Sequence, residues 1–377
     1  MDSTTHAANA TNVSAIEHVP YHMRPETYIV PVVFGFIFLL GIIGNGTLIF
    51  IVLKNKCMRN VPNIYIVSLS LGDFLLILIS VPFTSTIYTV RNWPFGEVVC
   101  KLNEFLQDMS VGVSVFTLTA LSADRYTAIV DPMKKHMGNP TRRTVMTSFA
   151  IWIVAICLGV PDAAISYVLF TGLHPDDANG VNVCYPYPLD WQTWYPKLHT
   201  FWKFLIYFLI PMVIISTYYS LMAKNLMLST QNMPGEKAEK GSGAQHAAKQ
   251  MEARKKVAKM VLMFVVLFVI CWAPRHLFNM WFHFSPWSRE QFNSGWQAFR
   301  IIGFCMSFIN SCLNPVALYC LSKQFRKYYN RYLFCWCRRS PDLQTTEPNS
   351  AMYNFTSTVR RGSANSYTMV TSQTAAV

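Results

Sequence analysis

Charge is scarce in this chain: Asp, Glu, Lys and Arg make up 14% of its 377 residues, against 52% hydrophobic residues and a mean hydropathy of +0.25. A chain this long and this apolar exceeds what one water-soluble core holds, which excludes an ordinary soluble enzyme domain and indicates a membrane protein. No repeating unit of solenoid length and no inverted symmetry between halves is visible, so the repeat architecture of many transporters is not indicated. No His-Glu-x-x-His motif or pair of catalytic aspartates marks an intramembrane protease. The first 26 residues are polar and lack an apolar h-region, so no cleavable signal is expected and the first span is expected to insert the chain itself.

Crossing a bilayer core takes about 20 apolar residues. Seven stretches qualify, at approximately 28 to 53, 63 to 90, 98 to 123, 144 to 167, 200 to 223, 257 to 282 and 298 to 320. Cations follow the first span (Lys54, Lys56, Arg59), the third (Lys134, Lys135, Arg142, Arg143) and the seventh (Lys323, Arg326, Lys327, Arg331), and precede the sixth (Arg254, Lys255, Lys256, Lys259). Those segments are therefore expected in the cytoplasm, with the amino terminus outside. The sequons at Asn9 and Asn12 fall on that outer side and are expected to carry sugar. The net charge of +13 is mainly this topology signal, with a share left for membrane lipids or an acidic partner surface and no indication of nucleic acid.

The expected fold class is thus an all-α membrane protein: an extracellular tail (1–27), a seven-helix bundle (28–321), a short amphipathic eighth helix on the inner leaflet (322–333) and a disordered Ser/Thr-rich cytoplasmic tail (334–377). Phe325, Tyr328, Tyr329 and Tyr332 among cations give the eighth helix its two faces, and Cys335 and Cys337 after it are expected to be palmitoylated. Arg360-Arg361-Gly362-Ser363 resembles a kinase site. Of ten cysteines, Cys100 and Cys184 alone fall in oxidising space with enough loop to meet, which predicts a disulfide between helix three and the loop after helix four. Alternation around Asn179-Gly180 predicts a hairpin in that loop.

Polar residues inside the spans are few: Asn45, Asp73, Ser114, Asn310, Ser311 and Asn314. Each costs free energy in hydrocarbon unless partnered, either as interhelical glue or as a site. Asp73 with Ser114, Asn310 and Asn314 is the set that suits a cation, sodium being the candidate. Prolines at 82, 161, 211, 274 and 315 are expected to bend their helices, and Cys271-Trp272-Ala273-Pro274 puts an indole beside one pivot with Phe268 a turn below. Near the outer end, Glu104, Gln107 and Asp108 share a face of helix three, and with Arg275, Asn279 and Arg300 they form the candidate ligand set; hydrated carboxylates at the rim are the alternative.

In order and spacing, Gly44-Asn45, Leu69 with Asp73, Trp93 before Cys100, Asp124-Arg125-Tyr126, Trp152, Pro211 with Tyr219, Phe268 with Cys271-Trp272-Ala273-Pro274, and Asn314-Pro315 resemble the rhodopsin-like G-protein-coupled receptors. Val61-Pro62-Asn63-Ile64, the run from Ser110 to Tyr126, Cys184 followed by Tyr187-Pro188, and Asn310 to Tyr319 resemble the bombesin receptor group, and within it the arthropod CCHamide receptors. The resemblance implies a non-enzymatic plasma-membrane receptor for a secreted, disulfide-cyclised and amidated neuropeptide, coupling to heterotrimeric G proteins of the Gq class and served by receptor kinase and arrestin. It implies an activation switch of Asp124, Arg125, Tyr126, Phe268, Trp272, Pro274, Asn314, Pro315, Tyr219 and Tyr319, and an allosteric sodium site at Asp73. The alternatives are a receptor for another bombesin-type peptide or, further off, a transporter.

Departures narrow the reading. Residues 298 to 320 hold no lysine for a retinal Schiff base, and Gln107 stands where an amine receptor carries Asp. Vertebrate bombesin receptors carry Arg where this chain has Phe304, while Arg300 lies one turn outward, which implies re-placed peptide contacts. Many relatives pair the arginine of the triplet with an acid at the base of helix six; here Arg254, Lys255 and Lys256 stand there, so Arg125 is expected to be restrained mainly by Asp124.

Overall fold

In a computed structural model of the protein, the described residues are 23–90, 92–131, 139–171, 180–191, 193–231 and 242–333. Asn9, Asn12, Cys335, Cys337, Asn179 and the basic stretch from Arg360 lie outside them.

Seven helices are long and apolar enough to cross a membrane. They are α1 (Glu26–Lys54), α2 (Val61–Thr86), α3 (Gly96–Val130), α4 (Pro140–Ile165), α5 (Tyr195–Met227), α6 (Ser242–Phe284) and α7 (Ser294–Leu321). The short α8 (Lys323–Tyr332) follows, as the sequence predicts. Local chemistry sets several starts. Asn60, Asn139, Asn293 and Ser322 each accept a backbone N–H of the first turn of α2, α4, α7 and α8, and prolines occupy the opening turns of α2 and α4. The basic run before span six is one helix with it, and α3 continues past residue 123 to Val130, so Asp124-Arg125-Tyr126 lies in the closing turns of the helix.

Helix α3 packs against α2, α4, α5 and α6 and forms the axis of the bundle. Leu48, Leu69, Leu118, Phe264, Phe268 and Leu318 build the main core, and Phe34, Ile77, Met109 and Phe308 a second core nearer the Cys100 end. Large apolar side chains such as Phe36, Leu39, Phe149 and Val213 point outward, the arrangement expected where the solvent is lipid. Pro82 and Pro211 each follow a wider π turn, Leu76–Ser80 and Leu205–Leu209, which absorbs the residue that cannot donate. At Pro274, α6 closes on α7 so tightly that a Cβ on Gly303 would lie 2.9 Å from the Arg275 nitrogen.

The hairpin forms as expected, β1 (Tyr167–Thr171) pairing antiparallel with β2 (Val181–Tyr185). Gly180 sits at φ +67, and a Cβ there would meet Phe170 at 2.6 Å, so both conformation and space require glycine. Cys184 joins Cys100 in the expected disulfide, Cα to Cα 5.5 Å, and Trp93 donates its backbone N–H to Asn182. Cys100→Ser and Cys184→Ser should each lower the thermal unfolding midpoint in detergent, since losing such a crosslink costs about 2–4 kcal/mol; an unchanged midpoint would mean that other contacts hold the hairpin.

Candidate functional site

At the Cys100 end the candidate ligand residues separate by environment. Asp108 is buried, and its Oδ1 meets the Lys203 ammonium of α5 at 2.8 Å. Lys203 also pairs with Asp162 of α4, whose two carboxylate oxygens lie 2.9 and 3.1 Å from Nε2 of His199. The His199 Nδ1 lies 3.4 Å from the Tyr187 hydroxyl, and burial pushes that phenol up to about 12, so it remains a neutral donor. A histidine protonated on Nε2 satisfies both neighbours, donating to Asp162 and accepting from Tyr187. Asp108, Asp162 and His199 have ligand atoms within 4.8 Å of one another, a spacing that suits a metal, but the Lys203 ammonium already bridges both acids.

Glu104, one turn outward from Asp108, is half-buried and makes no ion pair among the described residues, although the fields of Lys203 and Arg275 reach it. Gln107 donates to its own helix at Asn103 O, 3.4 Å. Arg275 stacks its guanidinium 5.5 Å from the Phe304 ring centroid and donates to Ser307 Oγ at 3.2 Å, joining α6 to α7. Arg300 is exposed, and its field and that of Arg275 both reach Tyr88; Asn279 is half-buried one turn outward from Arg275. The structure thus brings Glu104, Asp108 and Arg275 into one electrostatic neighbourhood and leaves Asn279 and Arg300 at the rim.

Below these residues a column of rings descends α6: His276 to Trp272, 6.0 Å, and Trp272 to Phe268, 6.0 Å, with Phe208 of α5 5.0 Å from His276. Trp272 Nε1 and His276 Nε2 are buried without hydrogen-bond partners among the described residues. At mid-bundle Asp73 accepts from Asn314 Nδ2 at 2.7 Å and from Ser114 Oγ at 3.5 Å, and Ser311 also bonds to it. Ser311 takes the place expected of Asn310, which is buried but makes no hydrogen bond to Asp73. Asn45 donates to Ser311 O at 2.8 Å and to Gly41 O at 3.1 Å, a tie between α1 and α7.

At the other end Arg125 is only 1% exposed, so its charge has to be held by protein. Asp124 pairs with it, as expected from the sequence. The restraint is nevertheless wider than that pair. Arg254 of α6 donates through Nη1 to Ala128 O of α3 at 2.9 Å, and Tyr219 of α5 donates to Ala258 O of α6 at 2.9 Å. Ala128 is among the last four residues of α3, whose carbonyls have no partner within the helix and sit at the negative end of its dipole. Tyr126 packs on Tyr218, ring centroids 5.3 Å apart. Between this end and Asp73, a cavity of about 10 Å³ lined by Tyr65, Leu118, Leu121, Phe264 and Asn314 remains, about the least that holds a water. Tyr319 bonds Asn330 at 3.1 Å, while Tyr329 donates to Gly44 O at 3.1 Å and Arg326 to Tyr319 O at 2.9 Å, so α8 seals the ends of α1 and α7.

Seven apolar helices around a buried arginine, an aromatic column above a proline bend and a disulfide-anchored hairpin define a seven-transmembrane receptor. The sequence matches the description "7 transmembrane receptor (rhodopsin family)" over residues 44–319, and the chain belongs to that family. It is 50% identical over 323 residues to the neuropeptide CCHamide-1 receptor of Drosophila melanogaster, covering 84% of this chain and 62% of that protein's length. To bombesin receptor subtype-3 of Ovis aries it is 40% identical over 311 residues, covering 82% of this chain and 76% of the sheep protein.

Sequence reasoning missed Lys203 and Asp162, polar residues within apolar spans, and His199 just before the fifth; Lys203 with Asp162 at opposite charge in neighbouring spans was the available signal. Removing the cation leaves two buried carboxylates without their partner, and breaking such a pair costs roughly 3–5 kcal/mol. Lys203→Met should therefore lower thermal stability in detergent markedly, and Lys203→Met combined with Asp108→Leu should recover part of the loss. Equal stability of Lys203→Met and the parent would mean that the ion pairs are not formed.

Proposed function

We propose that this protein is a plasma-membrane receptor for a secreted, amidated neuropeptide of the CCHamide type, with its Cys100 end outside, acting on heterotrimeric G proteins of the Gq class. The observation that carries the ligand class is the likeness to the Drosophila receptor over 84% of the chain. The alternative, another bombesin-type peptide, draws on the sheep relative. Against bombesin itself stands Phe304, over whose ring Arg275 from the neighbouring helix is stacked.

In this reading Glu104, Gln107, Arg275, Asn279 and Arg300 meet the peptide, and Asp108 acts through Lys203. A carboxylate suits a cationic group on the ligand, and the arginines suit its carbonyls. Pressure on His276 and Trp272 passes down the ring column, and α6 turns about Pro274 where it rests on Gly303. The bonds from Arg254 and Tyr219 then break, α6 leaves α3, and Arg125 becomes available to the G protein. Asn314 and Pro315 on α7 couple the same motion to Asp73. As a carboxylate, Asp73 with the Ser114 and Ser311 hydroxyls would fit a sodium ion as an all-oxygen donor set, which would favour the resting arrangement. Kinase and arrestin would act on the cytoplasmic side after activation.

A calcium-release screen of transfected cells with a panel of arthropod neuropeptides should give its strongest response to CCHamide peptides; a stronger response to another peptide would replace that assignment. Arg254→Ala should raise agonist-free signalling about several-fold, since a hydrogen bond from a charged donor is worth about 1.5–3 kcal/mol. Unaltered basal signalling at equal surface expression would remove Arg254 from the switch.

A further inference from the structure

Two acids one turn apart, Glu104 and Asp108, stand on the same face of α3, and a ligand cation has one or the other to meet. Their surroundings differ. The Lys203 ammonium bridges Asp108 and Asp162, and Asp162 is held a second time by His199, so three helices converge on a single cation. Asp108 and Asp162 are both 6% exposed, and the hairpin side is closed by Tyr187 against His199. Glu104 is the acid left half-buried and without an ion pair among the described residues, beyond contact distance of both Lys203 and Arg275.

We propose that Lys203 is a positioning residue that sets the charge selectivity of the peptide site: by drawing Asp108 and Asp162 onto itself it withdraws both from the ligand and leaves Glu104 as the one carboxylate that meets a cationic group of the peptide. The inference rests on the reading that the Cys100 end binds a peptide. The matching ligand presents one cationic nitrogen, an ammonium, imidazolium or guanidinium, and not a cluster of them. Without Lys203, Asp108 would face the same space as Glu104 while His199 still held Asp162, and a more basic ligand would be preferred.

The test uses the full-length receptor in transfected cells, with calcium release as the readout. The two probes are the CCHamide peptide most active in the screen and its charge-neutralised analogue, N-acetylated and with each basic side chain replaced by Gln. The quantity read is the ratio of their half-maximal concentrations, which loss of surface expression alone does not move. Wild type should favour the charged peptide by about tenfold or more, roughly 1.4 kcal/mol. Glu104→Gln should bring the ratio to about one, whereas Asp108→Asn should leave it within about threefold of wild type. Lys203→Gln should widen it by about tenfold, and Lys203→Arg should keep it. Collapse of the ratio in Asp108→Asn to the level of Glu104→Gln overturns the inference, as does an unchanged ratio in Lys203→Gln. If Lys203→Gln does not reach the surface, Asp108→Asn and Lys203→Arg decide by the same ratios. A wild-type ratio of one would instead overturn the premise that an acid of the receptor meets a ligand cation; no response to any peptide would overturn the functional reading beneath it.

Discussion

A polar group inside a bilayer finds no water, and each unsatisfied one costs several kcal/mol. That constraint organises this molecule from end to end. It explains why the few polar residues in the spans occur in groups drawn from different helices. Asn45 reaches backbone carbonyls of α1 and α7, Asp73 gathers Asn314, Ser114 and Ser311, and Lys203 binds acids from α3 and α4. In each case one side chain ties its own helix to at least one other.

Backbone groups obey the same rule, and here the rule meets function. The last carbonyls of α3 and α7 have no donors within their own helices, and arginines from elsewhere supply them: Arg254 at Ala128 and Arg326 at Tyr319. The second contact is a fixed seam between α7 and α8. The first joins two helices that have to separate if Arg125 is to be uncovered. Satisfaction of an orphan carbonyl is therefore also a restraint on α6, set by a cation at a helix end where an acid-arginine pair is absent.

Much of this is legible in the amino-acid sequence. Length and apolarity of the spans mark the bundle, the placement of Cys100 and Cys184 marks the disulfide, and adjacency marks the pair of Asp124 with Arg125. Pairings between distant helices are not legible, because they depend on how each helix is rotated. Asp108 reads as a ligand acid from its neighbour Glu104 on the same face; only the bundle shows Lys203 arriving from α5. Ser311 stands beside Asp73 in place of Asn310 because one residue of helical sequence turns a side chain by about 100°. In the sequence Arg254 signals only the loss of an acid, and its reach to a carbonyl three residues beyond Arg125 is a matter of side-chain length that a pattern of charges does not carry.

On this structure α6 is held to α3 by the bond from Arg254 to the end of α3 and not by an ion pair to Arg125. Spin labels on the inner ends of α3 and α6, with distances read by double electron–electron resonance in lipid nanodiscs without agonist, test it most directly. One short distance is expected in the parent protein and a second, longer population in Arg254→Ala, with Arg254→Glu returning to the short distance because a carboxylate there pairs with Arg125. Identical distance distributions in the parent and Arg254→Ala would contradict it.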